Sequence, residues 1–286
     1  MTFIKSRKIN IGGLSVGDYE EPKFISEIGV NHLGDIDRMK NMIKLSYEAG
    51  ADFIKFQTYN AKTRYNLKTN KKAKEFIKLT SSWQLSLEEN VEAWNYAQSL
   101  GAKVFTSIYD VGEIKFAMDM GTIAFKIAAF ELVNLKLIKE VAETKIPVIA
   151  SVGMASEKEI DKFVEILHKK DIPYILLHCI SSYPLEKKFS YLENIHKLKS
   201  KYACPVGHSD HTLGTEIPSL AVAAGACIIE KHFTDNIKLR ESDNFFSVTY
   251  DEVIEIKQKM KKVFSFLHNK NEKTEDYMRD FKKYAN

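Results

Sequence analysis

Residues 147 to 179 read PVIASVGMASEKEIDKFVEILHKKDIPYILLHC and hold two short apolar runs separated by a stretch with helical spacing. The first run ends at Val152 and the second begins at Tyr174, and both are rich in aliphatic residues, as strands buried on two faces should be. Between them, Ser156 and Glu159 have the spacing of a helix capping box. The stretch therefore predicts a strand–helix–strand unit of the kind that builds a parallel sheet.

The same alternation runs through the chain and predicts eight strands. Helical stretches such as Ile36 to Tyr47 and Ser86 to Leu100 separate them, and glycines suited to left-handed helix ends follow at Gly50 and Gly101. Eight such units in 286 residues predict a (β/α)8 TIM barrel, an α/β fold. An open doubly wound sheet is the alternative, weakened because no Gly-x-Gly-x-x-Gly follows the first strand. The predicted strands are Phe24 to Ile28, Phe53 to Tyr59, Lys103 to Ile108, Ala124 to Ala128, Pro147 to Val152, Tyr174 to Cys179, Pro205 to Ser209 and Cys227 to His232.

Segments outside this repeat divide the chain. Residues 1 to 22 contain a short predicted β-hairpin placed to plug the N-terminal mouth of the barrel, residues 23 to 268 form the barrel, and residues 269 to 286 form a charged tail. Residues 60 to 85 are a long polar connection after the second strand, which is a candidate active-site lid and carries Arg64.

Composition is ordinary for a soluble globular protein, with 44% hydrophobic and 28% charged residues and a net charge of +4. The lysine-rich stretch from Lys68 to Lys74 is interpreted as a solvated face, so nucleic acid is not an expected partner. No membrane span and no signal peptide are expected. Three cysteines without close spacing indicate buried thiols and a reducing, cytoplasmic compartment.

Polar side chains recur at the predicted carboxyl ends of all eight strands, which in a TIM barrel meet on one rim. Lys55 and Lys126 lie inside apolar strands, where a lysine costs desolvation unless it meets an anion. Together with hydroxyls at Ser107, Ser151 and Ser209, the lysines predict a cradle for phosphate and carboxylate groups. Lysines that only reach the rim with their charged ends are the alternative.

Two histidines end the predicted seventh and eighth strands, at His211 and His232. Neighbouring strands bring them together, and two neutral imidazoles can share one divalent metal ion with positions left open for water and substrate. Such a site suits Mn2+, Zn2+, Co2+ or Fe2+. The alternative is that both are packing residues, which is the expectation for His208, one position from Ser209 and pointing to the other face.

Five motifs in this order resemble the sialic acid synthase (N-acetylneuraminate synthase) family, which includes legionaminic and pseudaminic acid synthases. The similarity extends from about residue 8 to about residue 265. The motifs are SEIGVNHLGD at residues 26 to 35, KFQT at 55 to 58, LHC at 177 to 179 with Tyr183-Pro184, GHSDHTLG at 207 to 214 and EKHFT at 230 to 234.

The resemblance implies a metal-dependent transferase that condenses phosphoenolpyruvate with an N-acetylmannosamine-type aldehyde to give a nonulosonic acid. Glu27, Lys55 and Lys126 would take part in catalysis, and a divalent ion, Mn2+ first and Mg2+ or Co2+ as alternatives, would bind His211 and His232. The implied phosphoenolpyruvate ligands are Lys55, Ser107, Lys126, Ser151, Ser181 and Ser209, and the implied sugar contacts are Gln57, Glu131, Tyr183 and Asp243.

The sequence departs from the family pattern in three places. Ala129 replaces a usual serine, the loop from residue 239 to 243 is altered, and the C-terminal antifreeze-like domain of many bacterial members is expected to be absent. That domain could come from a separate protein, be replaced by residues 60 to 85, or be unnecessary for a different acceptor. A homodimer is expected by resemblance only. Another phosphoenolpyruvate-dependent 3-deoxy-keto-acid synthase, an aldolase and a non-catalytic sugar-binding barrel are the alternative functions.

Overall fold

The computed structural model describes residues 7 to 64 and 72 to 268, together with Arg279, Lys282 and Tyr284. Eight parallel strands form a closed barrel, with each strand paired to the next in the chain and the last paired to the first. The predicted TIM barrel is therefore confirmed. The strands are β3 Lys23–Gly29, β4 Phe53–Gln57, β5 Val104–Ser107, β6 Phe125–Ile127, β7 Val148–Ser151, β8 Tyr174–Cys179, β9 Val206–Asp210 and β10 Ile228–His232.

Helices surround the barrel and shield the outer faces of the strands. The two predicted capping boxes are present, with reciprocal hydrogen bonds between Ser86 and Glu89 and between Ser156 and Glu159. The helices are α1 Ile36–Glu48, α2 Ala61–Arg64, α3 Ala73–Ser81, α4 Leu87–Ser99, α5 Gly112–Asp119, α6 Leu135–Glu143, α7 Glu157–Lys169, α8 Glu193–Tyr202, α9 Glu216–Ala223 and α10 Tyr250–His268.

The barrel interior changes from apolar to polar along its axis. Successive side chains of a strand point to opposite faces, so inward positions recur every second residue. Near the N-terminal end these positions form an apolar cluster, whereas two residues further along, most strands carry a charged or hydroxylic side chain. The fold thus places a packed apolar core below and a layer of buried polar side chains at the carboxyl ends of the strands. The apolar inward residues include Ile25, Phe53, Phe105, Ile149, Ile175 and Ile228.

The predicted hairpin is present as β1 Lys8–Ile11 and β2 Leu14–Gly17, an antiparallel pair. Ile11 and Val16 are fully buried in the same cluster as the apolar inward residues of the barrel. The hairpin therefore closes the N-terminal mouth, opposite the polar cavity.

Several predicted strand ends were wrong. The prediction gave every strand at least five residues, but β6 has three, since Ala128 leaves the ladder and the chain turns at once into a 3₁₀ turn over residues 129 to 131. Apolar residues continue beyond the last ladder hydrogen bond because the barrel rim is itself buried, so composition does not mark the end of a strand.

The connection after β4 is more ordered than a polar loop. It contains α2 and α3, and Tyr59 donates a hydrogen bond of 2.8 Å to the carbonyl of Thr80. These helices escaped prediction because their faces are mostly polar. Residues 65 to 71 and most of the predicted tail, residues 269 to 286, lie outside the described residues, so the lid remains a prediction.

No helix in the described part of the chain is long and apolar enough to cross a membrane. All three cysteines are buried free thiols.

Candidate active site

A single layer of polar side chains lines the barrel interior above the apolar core. Strand register places Glu27 beside Lys55, Ser107 beside Lys126 and Ser209 beside Glu230. Each residue of this layer is at most 5% exposed, although charged residues are rarely buried without a partner. Six of the layer's residues were predicted from the sequence, and one was not. The layer consists of Glu27, Lys55, Ser107, Lys126, Ser151, Ser209 and Glu230.

Lys55 lies between two carboxylates. Its Nζ is 2.8 Å from Glu27 Oε2 and 3.6 Å from Glu230 Oε2, and it donates a hydrogen bond of 3.0 Å to Ser107 Oγ. Burial by itself lowers the pKa of Lys55, but the carboxylates of Glu230 and Glu27 outweigh burial and raise the pKa above its ordinary value. Lys55 is therefore a permanent cation at the floor of the cavity.

Lys126 is the second cation of the layer. It donates a hydrogen bond of 2.8 Å to Ser151 Oγ, and its Nζ is 3.6 Å from Glu230 Oε1. Burial lowers the pKa of Lys126, the Glu230 carboxylate opposes this, and the nearby charge of Lys55 lowers the pKa further. Lys126 thus needs an anion more than Lys55 does, because it has one carboxylate partner at this distance instead of two.

Glu230 balances both lysines. It accepts a hydrogen bond of 3.1 Å from Ser209 Oγ. Burial would raise its pKa, but the charges of Lys126 and Lys55 outweigh burial and lower the pKa of Glu230 to about 2. Glu230 is therefore ionised at any physiological pH and offsets the charge of the lysines.

Glu27 has the opposite electrostatic character. It accepts a hydrogen bond of 2.6 Å from Gln57 Nε2. Burial raises the pKa of Glu27 to about 7, with Lys55 opposing the shift and Glu230 adding to it. Glu27 thus exchanges a proton near neutral pH, as a general acid or base must.

The two predicted histidines meet at the mouth of the cavity, with ring centres 5.8 Å apart. His211 Nδ1 donates a hydrogen bond of 2.9 Å to the carbonyl of Ile180, which leaves its Nε2 as the nitrogen with a free electron pair. Burial lowers the pKa of His211 to about 4 and that of His232 to about 3, so both rings are neutral at pH 7.

The histidine pair fits one divalent metal ion. With metal–nitrogen bonds of about 2.0–2.1 Å, two imidazoles that share an ion have ring centres roughly 4.5–6.4 Å apart. Among the described residues, His232 Nδ1 is buried without a hydrogen-bond partner, and it lies 3.6 Å from Asp243 Oδ2. No group of three or more His, Cys, Asp and Glu side chains in the described part of the chain has the geometry of a metal site.

The predicted sugar contacts lie around the same mouth. The half-exposed ring of Tyr183 packs against His211 at 4.2 Å between ring centres. Asp243 faces His232, and Glu131 lies in the 3₁₀ turn after β6. Burial raises the pKa of both carboxyls, Asp243 and Glu131, which places them in partly desolvated positions.

Ser181 is the predicted phosphoenolpyruvate ligand nearest this mouth. It lies two residues after the end of β8. Its hydroxyl is buried, and burial raises the pKa of Tyr183 while a side-chain hydrogen bond with Ser181 opposes that shift.

Arg64 brings a third cation to the site from α2. Its guanidinium carbon lies 4.1 Å from the ring centre of Tyr109 and 4.8 Å from that of Tyr59, within the range of cation–π contacts. Its charge also lowers the pKa values of Glu131 and Asp243, so the guanidinium faces the region of the predicted sugar contacts.

Two residues of the site were missed as functional candidates in the sequence. Glu230 belongs to a quoted motif and ends a strand, but its pairing with two lysines on other strands appears only after the barrel closes. Arg64 was noted only as part of the candidate lid, because nothing in a polar connection indicates which side chain turns inward. An inward-facing charge on an apolar strand was the available signal for Glu230.

The model of the NeuB family matches residues 42 to 272. The chain is 33% identical over 272 residues to N,N'-diacetyllegionaminic acid synthase of Legionella pneumophila, covering 88% of this chain and 75% of that protein. It is 34% identical over 255 residues to a pseudaminic acid synthase of Campylobacter jejuni, covering 84% and 74%.

Among solved structures, the fold is similar to that of the N-acetylneuraminic acid synthetase of Leptospira borgpetersenii in complex with citrate. The two structures superpose with a TM-score of 0.91 at 33% sequence identity, over 98% of each chain.

Proposed function

The chain belongs to the NeuB family, and we propose that it condenses phosphoenolpyruvate with an N-acetylmannosamine-type aldehyde to give a nonulosonic acid and phosphate. One observation carries the proposal. Two buried lysines, Lys55 and Lys126, each bonded to a serine hydroxyl, form the floor of a cavity whose mouth holds two neutral imidazoles.

The lysine floor suits phosphoenolpyruvate because that substrate carries a carboxylate and a phosphate. Lysines bind such groups as point charges, and hydroxyls add short hydrogen bonds. Lys55 and Lys126 would supply the charge, and Ser107, Ser151 and Ser209 the nearby donors. The buried hydroxyl of Ser181 would add a further hydrogen bond to the bound substrate.

The mouth suits a polyhydroxylated aldehyde. Tyr183 offers an aromatic face, while Gln57, Glu131 and Asp243 offer hydrogen bonds to hydroxyl and acetamido groups. Burial raises the pKa values of Glu131 and Asp243 and the charge of Arg64 opposes that rise, and an acceptor without a phosphate group is proposed. The relatives named for legionaminic and pseudaminic acids support an amino sugar as the acceptor.

The metal ion is proposed at His211 and His232, with Mn2+ first and Mg2+ or Co2+ as alternatives. It would supply Lewis-acid polarisation of the aldehyde oxygen. Neutral rings, a fixed His211 tautomer and an unpaired His232 Nδ1 support this assignment.

The chain's own residues account for the rest of the reaction. C3 of phosphoenolpyruvate forms a bond to the aldehyde carbon, the aldehyde oxygen takes up a proton, and water adds to the cationic C2. The C2–oxygen bond to phosphate then breaks and yields the keto acid. Glu27, oriented by Gln57 and Lys55, would accept the proton of the adding water, and Lys55 and Lys126 would hold the departing phosphate.

A homodimer and a separate antifreeze-like partner remain predictions. The buried free thiols are consistent with the proposed cytoplasmic location, because free thiols persist in reducing compartments.

The first test is phosphate release from phosphoenolpyruvate with Mn2+ across a panel of aldoses, with mass spectrometry of the product. The panel holds N-acetylmannosamine, its 6-phosphate and the diacetamido-trideoxy hexoses. We expect metal-dependent release with an acceptor that lacks phosphate, and a nine-carbon keto acid as the product. Preference for the 6-phosphate would assign another phosphoenolpyruvate-dependent synthase.

Matched histidine variants provide the control. His211→Ala should reduce release at least 100-fold, whereas His196→Ala, an exposed histidine on α8, should leave it unchanged. An aldolase or a sugar-binding barrel would release no phosphate from phosphoenolpyruvate with any sugar. Addition of a separate antifreeze-like domain would not restore the release.

A further inference from the structure

A buried ion pair lies on the outer face of β9 and β10, directly behind the two histidines. Lys231 Nζ is 2.6 Å from Asp210 Oδ2, and the side chains are 1% and 0% exposed. The two residues are paired in the strand register. Because side chains alternate between faces, His211 and His232, the residues that follow them, point into the cavity. The pair therefore links the two histidine-bearing segments from behind.

The ion pair also fixes the turn that carries His211. Asp210 accepts hydrogen bonds from the backbone N–H of Thr212 at 2.9 Å and from its hydroxyl at 3.2 Å. Lys231 donates to the carbonyl of Thr212 at 2.6 Å. The backbone on both sides of His211 is thus held to β10 by charged side chains.

Stability alone does not explain this arrangement. Burying two charges costs desolvation that well-packed apolar residues of similar size would avoid, so such a pair is weak evidence for a stabilising role. Groups that orient metal-binding histidines, in contrast, typically change metal affinity or activity by about 10–100-fold when they are removed.

We propose that the Asp210–Lys231 ion pair positions the rings of His211 and His232. It sets their positions relative to each other along the barrel axis and their orientations. The proposal rests on the proposed function, in which these two rings bind the divalent ion. Neither Asp210 nor Lys231 contacts the cavity, so both act through the histidines.

The test is the double variant Asp210→Asn/Lys231→Met, which removes both charges together and keeps the side-chain sizes. We expect the variant to fold and to bind Mn2+ about 10–100-fold more weakly, measured by electron paramagnetic resonance of free Mn2+ without substrates. The kcat should fall by a similar factor while the KM for phosphoenolpyruvate stays within about twofold, since the lysine floor is untouched.

The matched control removes a different ion pair at the opposite end of the barrel. Lys257 Nζ lies 2.7 Å from Asp52 Oδ2, beside the start of β3. The variant Asp52→Asn/Lys257→Met should lower thermal stability without changing Mn2+ affinity or kcat.

Thr212→Val is a milder second variant for the case in which the double variant does not fold. We expect it to reduce Mn2+ affinity by about threefold or more.

A folded double variant with unchanged kcat and unchanged Mn2+ affinity would overturn the proposal. If the unaltered protein takes up no Mn2+, the metal assignment fails instead, and a crystal structure of the double variant decides the positioning role. The positioning role would be contradicted if the ring centres of His211 and His232 were still 5.8 Å apart in that structure and the rings kept their orientation.

Discussion

Glu27 combines burial with a partner of opposite charge, and the balance decides its protonation state. Its carboxyl is desolvated and lies close to the anionic Glu230, and these effects outweigh the ion pair with Lys55. Glu230, which faces two lysines, is shifted the other way. One layer of the barrel therefore holds one carboxylate that is always charged and one that exchanges a proton near pH 7.

The pH dependence of activity follows from this difference. Because the pKa of Glu27 is raised to about 7, the ionised form needed to accept a proton is lost as pH falls below 7. We expect kcat/KM to rise with pH and level off above an inflection near 7, measured by steady-state phosphate release from pH 5.5 to 8.5. Glu27→Gln should lose at least 100-fold in kcat.

A flat profile across that range would argue against Glu27 as the proton acceptor. Bound phosphoenolpyruvate adds negative charge beside Glu27 and disfavours its ionised form. The inflection in kcat should therefore lie above the inflection in kcat/KM.

At the scale of secondary structure, α2 is the element that brings a cation to the mouth from outside the strand repeat. The helix has four residues, and its last side chain, Arg64, lies against Tyr59 and Tyr109. The aromatic faces hold the guanidinium near Glu131 and Asp243 without a strand beneath it.

Arg64→Met keeps the side-chain length and removes the charge. We expect the KM for the acceptor sugar to rise about tenfold, with the KM for phosphoenolpyruvate unchanged, because the residue faces the sugar side only. Initial rates with each substrate varied in turn measure both constants. Lys62→Met, an exposed lysine on the same helix, is the matched control, and equal effects of the two variants would refute a specific role for Arg64.

In the whole molecule, the N-terminal end of the barrel contributes to stability and the carboxyl end carries the candidate active site. The N-terminal end is closed by the hairpin and packed with apolar side chains, while the carboxyl end holds buried polar side chains. Stability and activity should therefore respond to different substitutions, as is general for TIM barrels.

Ile11→Ala tests this separation. Ile11 is fully buried against the lower core, and its truncation should lower the free energy of unfolding by about 2–5 kcal/mol. Urea denaturation measures the loss, and the KM for phosphoenolpyruvate should not change. Lys8→Ala, at an exposed position of the same hairpin, should cost less than about 1 kcal/mol. A large effect of Ile11→Ala on KM would show that the two ends are coupled.

The sequence by itself determined the barrel, the hairpin, both capping boxes and the residues gathered at the rim. These follow from local physics, because a strand buried on both faces needs an apolar run, a helix start needs a cap, and a charge on such a strand needs a partner. Lys55 and Lys126 were predictable for that last reason.

Only the tertiary structure decided which charges meet. The pairing of Glu230 with two lysines, the inward turn of Arg64 and the Asp210–Lys231 pair all join residues from different elements. Strand ends such as that of β6 were also set by pairing with neighbours rather than by composition. The opposite pKa shifts of Glu27 and Glu230 could not be predicted, because they depend on distances of a few ångströms that exist only after the barrel closes.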